Sequence, residues 1–370
     1  MLVPRVSVVM AVYNAAPFLT EAVCSVLAQT VEDLELIVVD DGSTDGSADI
    51  VASMARRDGR VRLHRQTHGG LVSAITVGCE YARAEYIARM DADDVAAPQR
   101  LRRQLEVLET RPRLVLLGTA VVVMDAAGRA HYTIAYPETD GEIRRSILHW
   151  NCFAHPTVVM RAQALRAVGG YRRAFLHAED YDLWLRLIEV GEVANLSEPL
   201  VYLRTHEGQV TQAFLEQQVM SRLAAAAMAR RRASGRPDPL LSTERVTMGT
   251  LVDLGVGSEC LREELVAAFA SRAADLTTQG QSARANGLLQ ELRTQPWAQS
   301  RWRRVLATYH WACARNALSM GAFGRGVLAA ARATTLAPTL PAAWLTRKAG
   351  RVVRGARIVP QRRAHLVTSR

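Results

Sequence analysis

The sequence predicts an α/β fold, a mostly parallel sheet flanked by helices and followed by a smaller α-helical C-terminal region. Three observations predict it. β-Branched apolar runs alternate with helical spacing through the first third of the 370 residues, as in strands joined by crossover helices. These runs end in acidic or polar residues, at what becomes the carboxyl edge of a parallel sheet. Beyond about residue 215 the alternation stops and helical spacing continues alone. The expected organisation is an α/β domain over 1–215, a helical region over 216–346 and a basic tail over 347–370.

The elements follow in order. RVSVVMAVY (5–13) is the first strand. PFLTEAVCSVLAQ has Pro17 at a helix start and sets Leu19, Val23, Val26 and Leu27 on one face. LELIVVD is the second strand and SADIVASMARR the second helix, followed by a short strand, RVRLHR (60–65). GLVSAITVGCEYARA (70–84) is helical, and EYIARMD (85–91) is a fourth strand running into DADD. Pro98 opens the helix PQRLRRQLEVLE, and LVLLGTAVVVMD and HYTIAY form a strand pair joined through AAGR. In the last third, helices are expected at 259–276, 282–294 and 301–318, with SGRPDP (234–239) as the best linker. Residues 317–344 resemble a single tetratricopeptide-like helix pair, but no repeat precedes it, so an ordinary helical hairpin is the simpler reading.

Composition narrows the function. The five cysteines are scattered and form no C-x-x-C, which fits a reduced, cytoplasmic setting without a zinc site. The start MLVPRVSVVM lacks the pattern of a signal peptide, and no apolar run reaches the ~18 residues of a spanning helix. The net charge is +10, carried almost wholly by arginine, with Lys348 the sole lysine. From Arg347 to Arg370 there are eight basic residues and no acidic one. Such a tail suits peripheral contact with an anionic membrane, at the inner membrane face. A nucleic-acid binder would interleave aromatics with its basic residues, and this tail has almost none.

The stretch DDGSTDGS carries the main question. A calcium loop beginning at Asp41 would need Glu at its twelfth position, where Ala52 stands. Capping explains Ser43, Thr44, Asp45 and Ser47, which suit a helix starting near Ser47. It does not explain Asp40 beside Asp41. A second acidic strand end, Asp91-Ala92-Asp93-Asp94, lies on the same expected edge. Acid at such an edge suits a divalent cation that in turn holds phosphate. Asp91 and Asp93, two apart in extended chain, leave the backbone on one side and can share Mg2+ or Mn2+. Asp94 is expected to point away and cap the following turn.

At this point four stretches, SVVMAVYNAAPFLTEAVCSVLAQT, ELIVVDDGSTDGS, EYIARMDADDVAAPQRL and HAEDYDLWLRL, resemble in order the motifs of the inverting family 2 glycosyltransferases of GT-A fold. The resemblance covers roughly residues 5–210. It implies a Rossmann-like sheet and a nucleotide-sugar donor, with a UDP-sugar expected. By that resemblance Asp40 accepts the imide N–H of uracil, Asp41 shapes the ribose pocket, and Val12 and Tyr13 border the base. Asp91 and Asp93 are the metal pair, with Asp93 the direct ligand and Asp91 nearer the ribose. Arg204 pairs with the diphosphate, and His206 completes the metal shell or holds a phosphate oxygen. His155-Pro156 belongs to the acceptor side. An inverting transfer also needs a base for the attacking hydroxyl. Asp180 is the first choice and Glu179 the alternative, while Asp182 faces away and Trp184 is core.

Two departures bear on the donor. His68 and Thr76 stand where the family often has asparagine, and Ala84 replaces a common glycine. The expected function is metal-dependent, inverting transfer of a sugar from a nucleotide-sugar to a hydroxyl of a surface glycan or lipid-linked precursor. Nucleotidyl transfer would call for a glycine- and lysine-rich phosphate loop, which AVYNAAPFL is not. A degenerate scaffold with a helical interaction domain would not be expected to keep Asp93 and Asp180.

Overall fold

The computed structural model describes residues 3–206, 214–240, 243–278, 280–299, 301–319, 322–337 and 357–360. They divide into two compact units, one of residues 3–174 and 179–206, the other of 175–178 and the described residues of 214–360.

The first unit is built on a curled, mixed sheet. Strands β1 (Val6–Val12), β2 (Leu34–Asp40), β3 (Val61–Arg65) and β4 (Tyr86–Asp91) run parallel, in the order β4-β1-β2-β3. Helices α1 (Ala16–Leu27), α2 (Ser47–Arg57) and α3 (Leu71–Tyr81) connect them. The central strands are apolar on both faces because helices cover both. One face packs Val8, Met10, Leu36, Val38, Ala88 and Met90 into a core with Leu19, Val23 and Val26 of α1. On the other face, Gly78 of α3 lies so close to Val9 and Val39 that a Cβ there would overlap the Val9 side chain. Register places Val12 opposite Asp40 and Ala11 opposite Asp91, so the acidic ends of β2 and β4 flank the end of β1 on one edge.

Beyond β4 the sheet turns mixed. The two-residue β5 (Val95–Ala96) and helix α4 (Arg100–Thr110) lead to β6 (Leu114–Asp125), which pairs antiparallel with β7 (Ala130–Ala135), as AAGR predicted. Helix α5 (Asp140–Ser146) starts at a capping box formed by Thr139 and Glu142. β8 (Val159–Arg161) bridges β4 and β6, both antiparallel. Helices α6 (Ala162–Ala167) and α7 (Glu179–Val190) precede β9 (Glu192–Thr205), which runs parallel to β6 with register shifts and pairs β5.

The second unit is helical: α8 (Leu215–Ala233), α9 (Met248–Asp253), α10 (Ser258–Thr278), α11 (Ser282–Thr294), α12 (Pro296–Gln299), α13 (Trp302–Ser319) and α14 (Phe323–Leu336). Alanines 270, 273 and 274 are fully buried on α10, which is tied to α13 by Asn316–Asp275 (2.8 Å) and Arg304–Glu263 (3.0 Å). SGRPDP is a loop inside this unit, following α8 and pinned by the Arg232–Asp238 ion pair (3.0 Å). Among the described residues no helix is long and apolar enough to cross a membrane. The side chains of the basic tail, and residues 338–344 of the helix-pair resemblance, lie outside the described residues.

Candidate active site

The DGSTDGS turn fastens the start of α1 as much as that of α2. Ser43 Oγ accepts from the Asn14 N–H (3.0 Å), Ser47 Oγ from Ala15 N–H (3.0 Å) and Asp45 Oδ2 from Ala16 N–H (2.9 Å). Asn14, in the left-handed region at φ 51°, returns a bond by accepting the Thr44 N–H at 2.9 Å. Helix α2 has Gly46, at φ 88°, as its N-cap residue and no side-chain cap bond, while Asp45 Oδ1 just before it accepts the Ser47 N–H (3.0 Å) and hydroxyl (2.6 Å). Burial alone would raise the Asp45 carboxyl, but these bonds from Ser47 and Ala16 hold it below its usual value.

The two strand-end carboxylates of β2 do different things. Asp41 is saturated: it accepts from Gln66 Nε2 (2.6 Å), Gly69 N–H (2.8 Å) and Gly70 N–H (2.9 Å), and His68 Nδ1 lies 2.9 Å from its Oδ2. It folds the 66–70 loop, which seats His68 against the Tyr13 ring at 4.2 Å, and any part in shaping a ribose pocket is exerted through that loop. Asp40 is buried as deeply, yet its Oδ1 has no hydrogen-bond partner among the described residues. A buried acceptor left open at a sheet edge is costly unless a ligand meets it. Tyr13 is half exposed, whereas the Val12 side chain lies in the core, so only its backbone at the end of β1 is left to border a base.

Asp91, Asp93 and Asp94 gather ligand atoms within 4.8 Å of one another. The expected route to this cluster is corrected in two respects. Asp91 ends β4, but Ala92 and Asp93 form a turn, so strand alternation is not what aligns the pair. Asp94 does not turn away to cap its own loop; it joins the cluster while accepting the Arg204 N–H at 2.8 Å. Burial and the neighbouring carboxylates push the Asp94 carboxyl well above its usual range. Asp91 is raised too, by burial, with Arg89 opposing the rise and Asp93 adding to it. Three crowded carboxylates of this kind are a strong acceptor set for a cation. His206 adds a nitrogen, with Nε2 2.9 Å from Asp93 Oδ2 and its ring on Phe18 at 4.8 Å. Oxygen donors with one imidazole suit a hard divalent ion.

Arg204 is a correction. Its guanidinium is 2% exposed and donates to the Asp93 carbonyl (2.8 Å), the Ala126 carbonyl (3.0 Å) and Glu21 (2.6 Å). It braces the acidic turn from behind and is not presented to a diphosphate.

Helix α7 opens with Glu179, Asp180 and Asp182 in its first turn. Asp182 is buried between Arg172 and Arg186, and Trp184 is buried against Phe153 and His155, both as expected. Glu179 is 5% exposed, whereas Asp180 is only part-buried. Burial raises the Asp180 carboxyl to about 6, against bonds from the Tyr181 N–H (2.6 Å) and Asn151 Nδ2 (2.7 Å). His155 Nε2 meets the Tyr171 hydroxyl at 2.8 Å, and burial holds its pKa well below the usual value.

Sequence reasoning passed over Arg89 and Asn151. Arg89 is fully buried two residues before Asp91, pairs with it, and is near enough to Asp180 to oppose its rise. Its spacing from Asp91 on a strand was a usable signal. Asn151 offered none, since its partner lies 29 residues away.

Comparison with known proteins gives the family and the fold. The family described as "Glycosyl transferase family 2" matches residues 7–169. EpsE of Bacillus subtilis (strain 168), which carries a glycosyltransferase name, is 36% identical over 208 residues, 54% of this chain and 73% of that protein. The O-antigen biosynthesis glycosyltransferase WbnJ of Escherichia coli is 32% identical over 208 residues, covering 54% of this chain and 80% of WbnJ. Among solved structures, S. aureus TarS 1-349 in complex with UDP-GlcNAc shares the fold, with a TM-score of 0.52 at 17% identity over 95% of this chain and 92% of that one. By its family match and these relatives, the chain belongs to glycosyl transferase family 2, with the GT-A fold.

Proposed function

We propose that the chain is a metal-dependent, inverting glycosyltransferase that moves a sugar from a nucleotide-sugar, a UDP-sugar by preference, to a hydroxyl of a surface glycan or its lipid-linked precursor. The observation that carries the reading is one sheet edge holding an open buried acceptor, Asp40 Oδ1, beside the cluster of Asp91, Asp93 and Asp94. Asp40 Oδ1 accepts the imide N–H of uracil, a bond that cytosine could not supply from the same ring position. The Tyr13–His68 stack borders the base, and Asp91 holds the ribose. Asp93, with His206 and the raised Asp94 beside it, would hold Mn2+ or Mg2+, whose charge supports departure of the diphosphate.

Asp180 is the base in this reading, ahead of Glu179, because it is the more accessible of the two. A carboxylate at about 6 is charged at neutral pH, yet basic enough to take a proton as the hydroxyl attacks. Arg89, between Asp91 and Asp180, keeps two neighbouring acidic groups compatible. A surface glycan as acceptor is supported by the names of the relatives, O-antigen biosynthesis for WbnJ and amylovoran biosynthesis for AmsE of Erwinia amylovora. A cytoplasmic enzyme touching the inner membrane face through its basic tail fits a lipid-linked acceptor.

The test is proton NMR of the anomeric centre while the protein acts on UDP-, GDP- and dTDP-sugars with Mn2+. The reading predicts release or transfer from UDP-sugars with inverted configuration. Retained configuration, or no turnover of any of the donors, contradicts it.

A further inference from the structure

The geometry points to Asn151 as a positioning residue for the transfer: its amide ties one oxygen of Asp180 in place and so sets the direction in which that carboxylate meets the acceptor hydroxyl. This rests on the reading of Asp180 as the base. Asn151 Oδ1 accepts the Phe153 N–H at 3.2 Å, which fixes the amide's orientation and leaves Nδ2 to donate to Asp180 Oδ2 at 2.7 Å. The other oxygen, Oδ1, takes the Tyr181 N–H at 2.6 Å. With the residue's own backbone N–H as a third donor, the carboxylate still keeps a lone pair for a proton from the acceptor.

The segment that carries Asn151 is itself held. Asn195 of β9, buried, donates to the Cys152 carbonyl at 3.0 Å and to the Pro137 carbonyl at 2.8 Å, joining this segment to the chain that follows β7. Tyr136, next to that second anchor, stacks on Trp150 at 6.2 Å, and Phe153 packs on Trp184 at 5.8 Å. A side chain aligned by such a frame loses little freedom on bonding, which is what a base needs from its support.

Among the described residues, the charged and titratable groups facing Asp180 are few. Arg89 of β4 favours its charged form, Tyr136 and Tyr171 lie within reach of its charge, and Glu179 and Asp182 share its helix, the latter paired to Arg172 and Arg186. Removal of the Asn151 donor therefore takes away one of the bonds that favour the charged form, while the Tyr181 N–H and Arg89 remain.

The experiment follows the carboxyl carbon of Asp180 by NMR in aspartate-labelled full-length protein, its signal identified by its loss in Asp180→Asn. Asn151→Leu is expected to move the titration midpoint upward by about one pH unit from the native value. The acid limb of kcat for UDP-sugar hydrolysis in Mn2+ should move with it, while the Kd for UDP stays put. Asn151→Ala removes the same donor with less crowding and serves if the leucine variant does not fold. An unmoved midpoint in the folded variants overturns the inference. If Asp180→Asn abolishes turnover while Asn151→Leu keeps the native acid limb, this inference falls and the base assignment stands. If Asp180→Asn turns over normally, the base assignment falls and takes this inference with it.

Discussion

Asp180→Asn is the substitution from which the site has most to lose. The native carboxyl is raised from 3.8 to about 6 by burial. As the proposed base it would act in its charged form, so turnover is expected to be full above that value and lost as the pH falls through it. At pH 5 about one-tenth of the carboxylate remains charged, which sets an acid limb falling about tenfold per pH unit. The amide that replaces the carboxyl keeps the size of the side chain and a carbonyl oxygen for the Tyr181 N–H or the Asn151 amide, so the α7 start should survive. It cannot take a proton. Removing a general base costs roughly 10²–10⁴ in rate, and kcat for nucleotide release should fall within that range while UDP affinity is unchanged. The assay is nucleotide release from a UDP-sugar in Mn2+ across pH 4.5 to 8. A variant within a few-fold of native kcat, or one that keeps the native acid limb, refutes the assignment.

Other substitutions probe the frame. Asp93→Ala removes the carboxylate nearest His206 and is expected to abolish the Mn2+-dependent part of UDP binding; calorimetry in EDTA and in Mn2+ checks it. Glu35→Ala strands the Ser7 hydroxyl and the Arg83 N–H, which it accepts at 2.7 and 3.0 Å, and should cost roughly 3 kcal/mol in urea denaturation. Burial alone would raise the Glu35 carboxyl, but the bonds from Arg83 and Ser7 hold it below 4.5. Its contribution is therefore present above the unfolded value and lost as pH falls through the lower folded one, and the native–variant difference should shrink in acid. Gly118→Ala would drive a Cβ into Asn195 Oδ1 and within 2.9 Å of Phe153. The overpacking should cost about 1–3 kcal/mol, measured by thermal melting, and should lower kcat through the Asn151 segment more than it weakens UDP binding.

What was legible in the sequence was what is local. The runs that became β1 to β4 are recognisable because short apolar stretches recur between turn signals and helical spacing, and α10, α11 and α13 because apolar residues recur at helical spacing. β9 was not legible. It contains Pro199 and Glu198, reads as neither clean alternation nor a continuous apolar run, and is held in the sheet by a shifted register against β6. The site divides along the same line. Asp40, Asp91 and Asp93 stand at the ends of strands that the pattern reveals. The burial of Arg204 under Asp93, the bonds from the DGSTDGS turn to the start of α1, and the approach of Asn151 to Asp180 depend on partners far along the chain. Asp94 was placed on the wrong side because the alternation of an extended strand was carried one turn too far.

The central claim is that one sheet edge binds a uridine diphosphate through Asp40 and a cation held at Asp93. The most direct measurement is calorimetric titration of the native protein with UDP, GDP and dTDP, each with and without Mn2+. The account predicts that UDP binds, that it binds far more tightly with Mn2+, and that GDP does not compete. Binding of GDP in preference to UDP, or UDP binding indifferent to Mn2+, would contradict it.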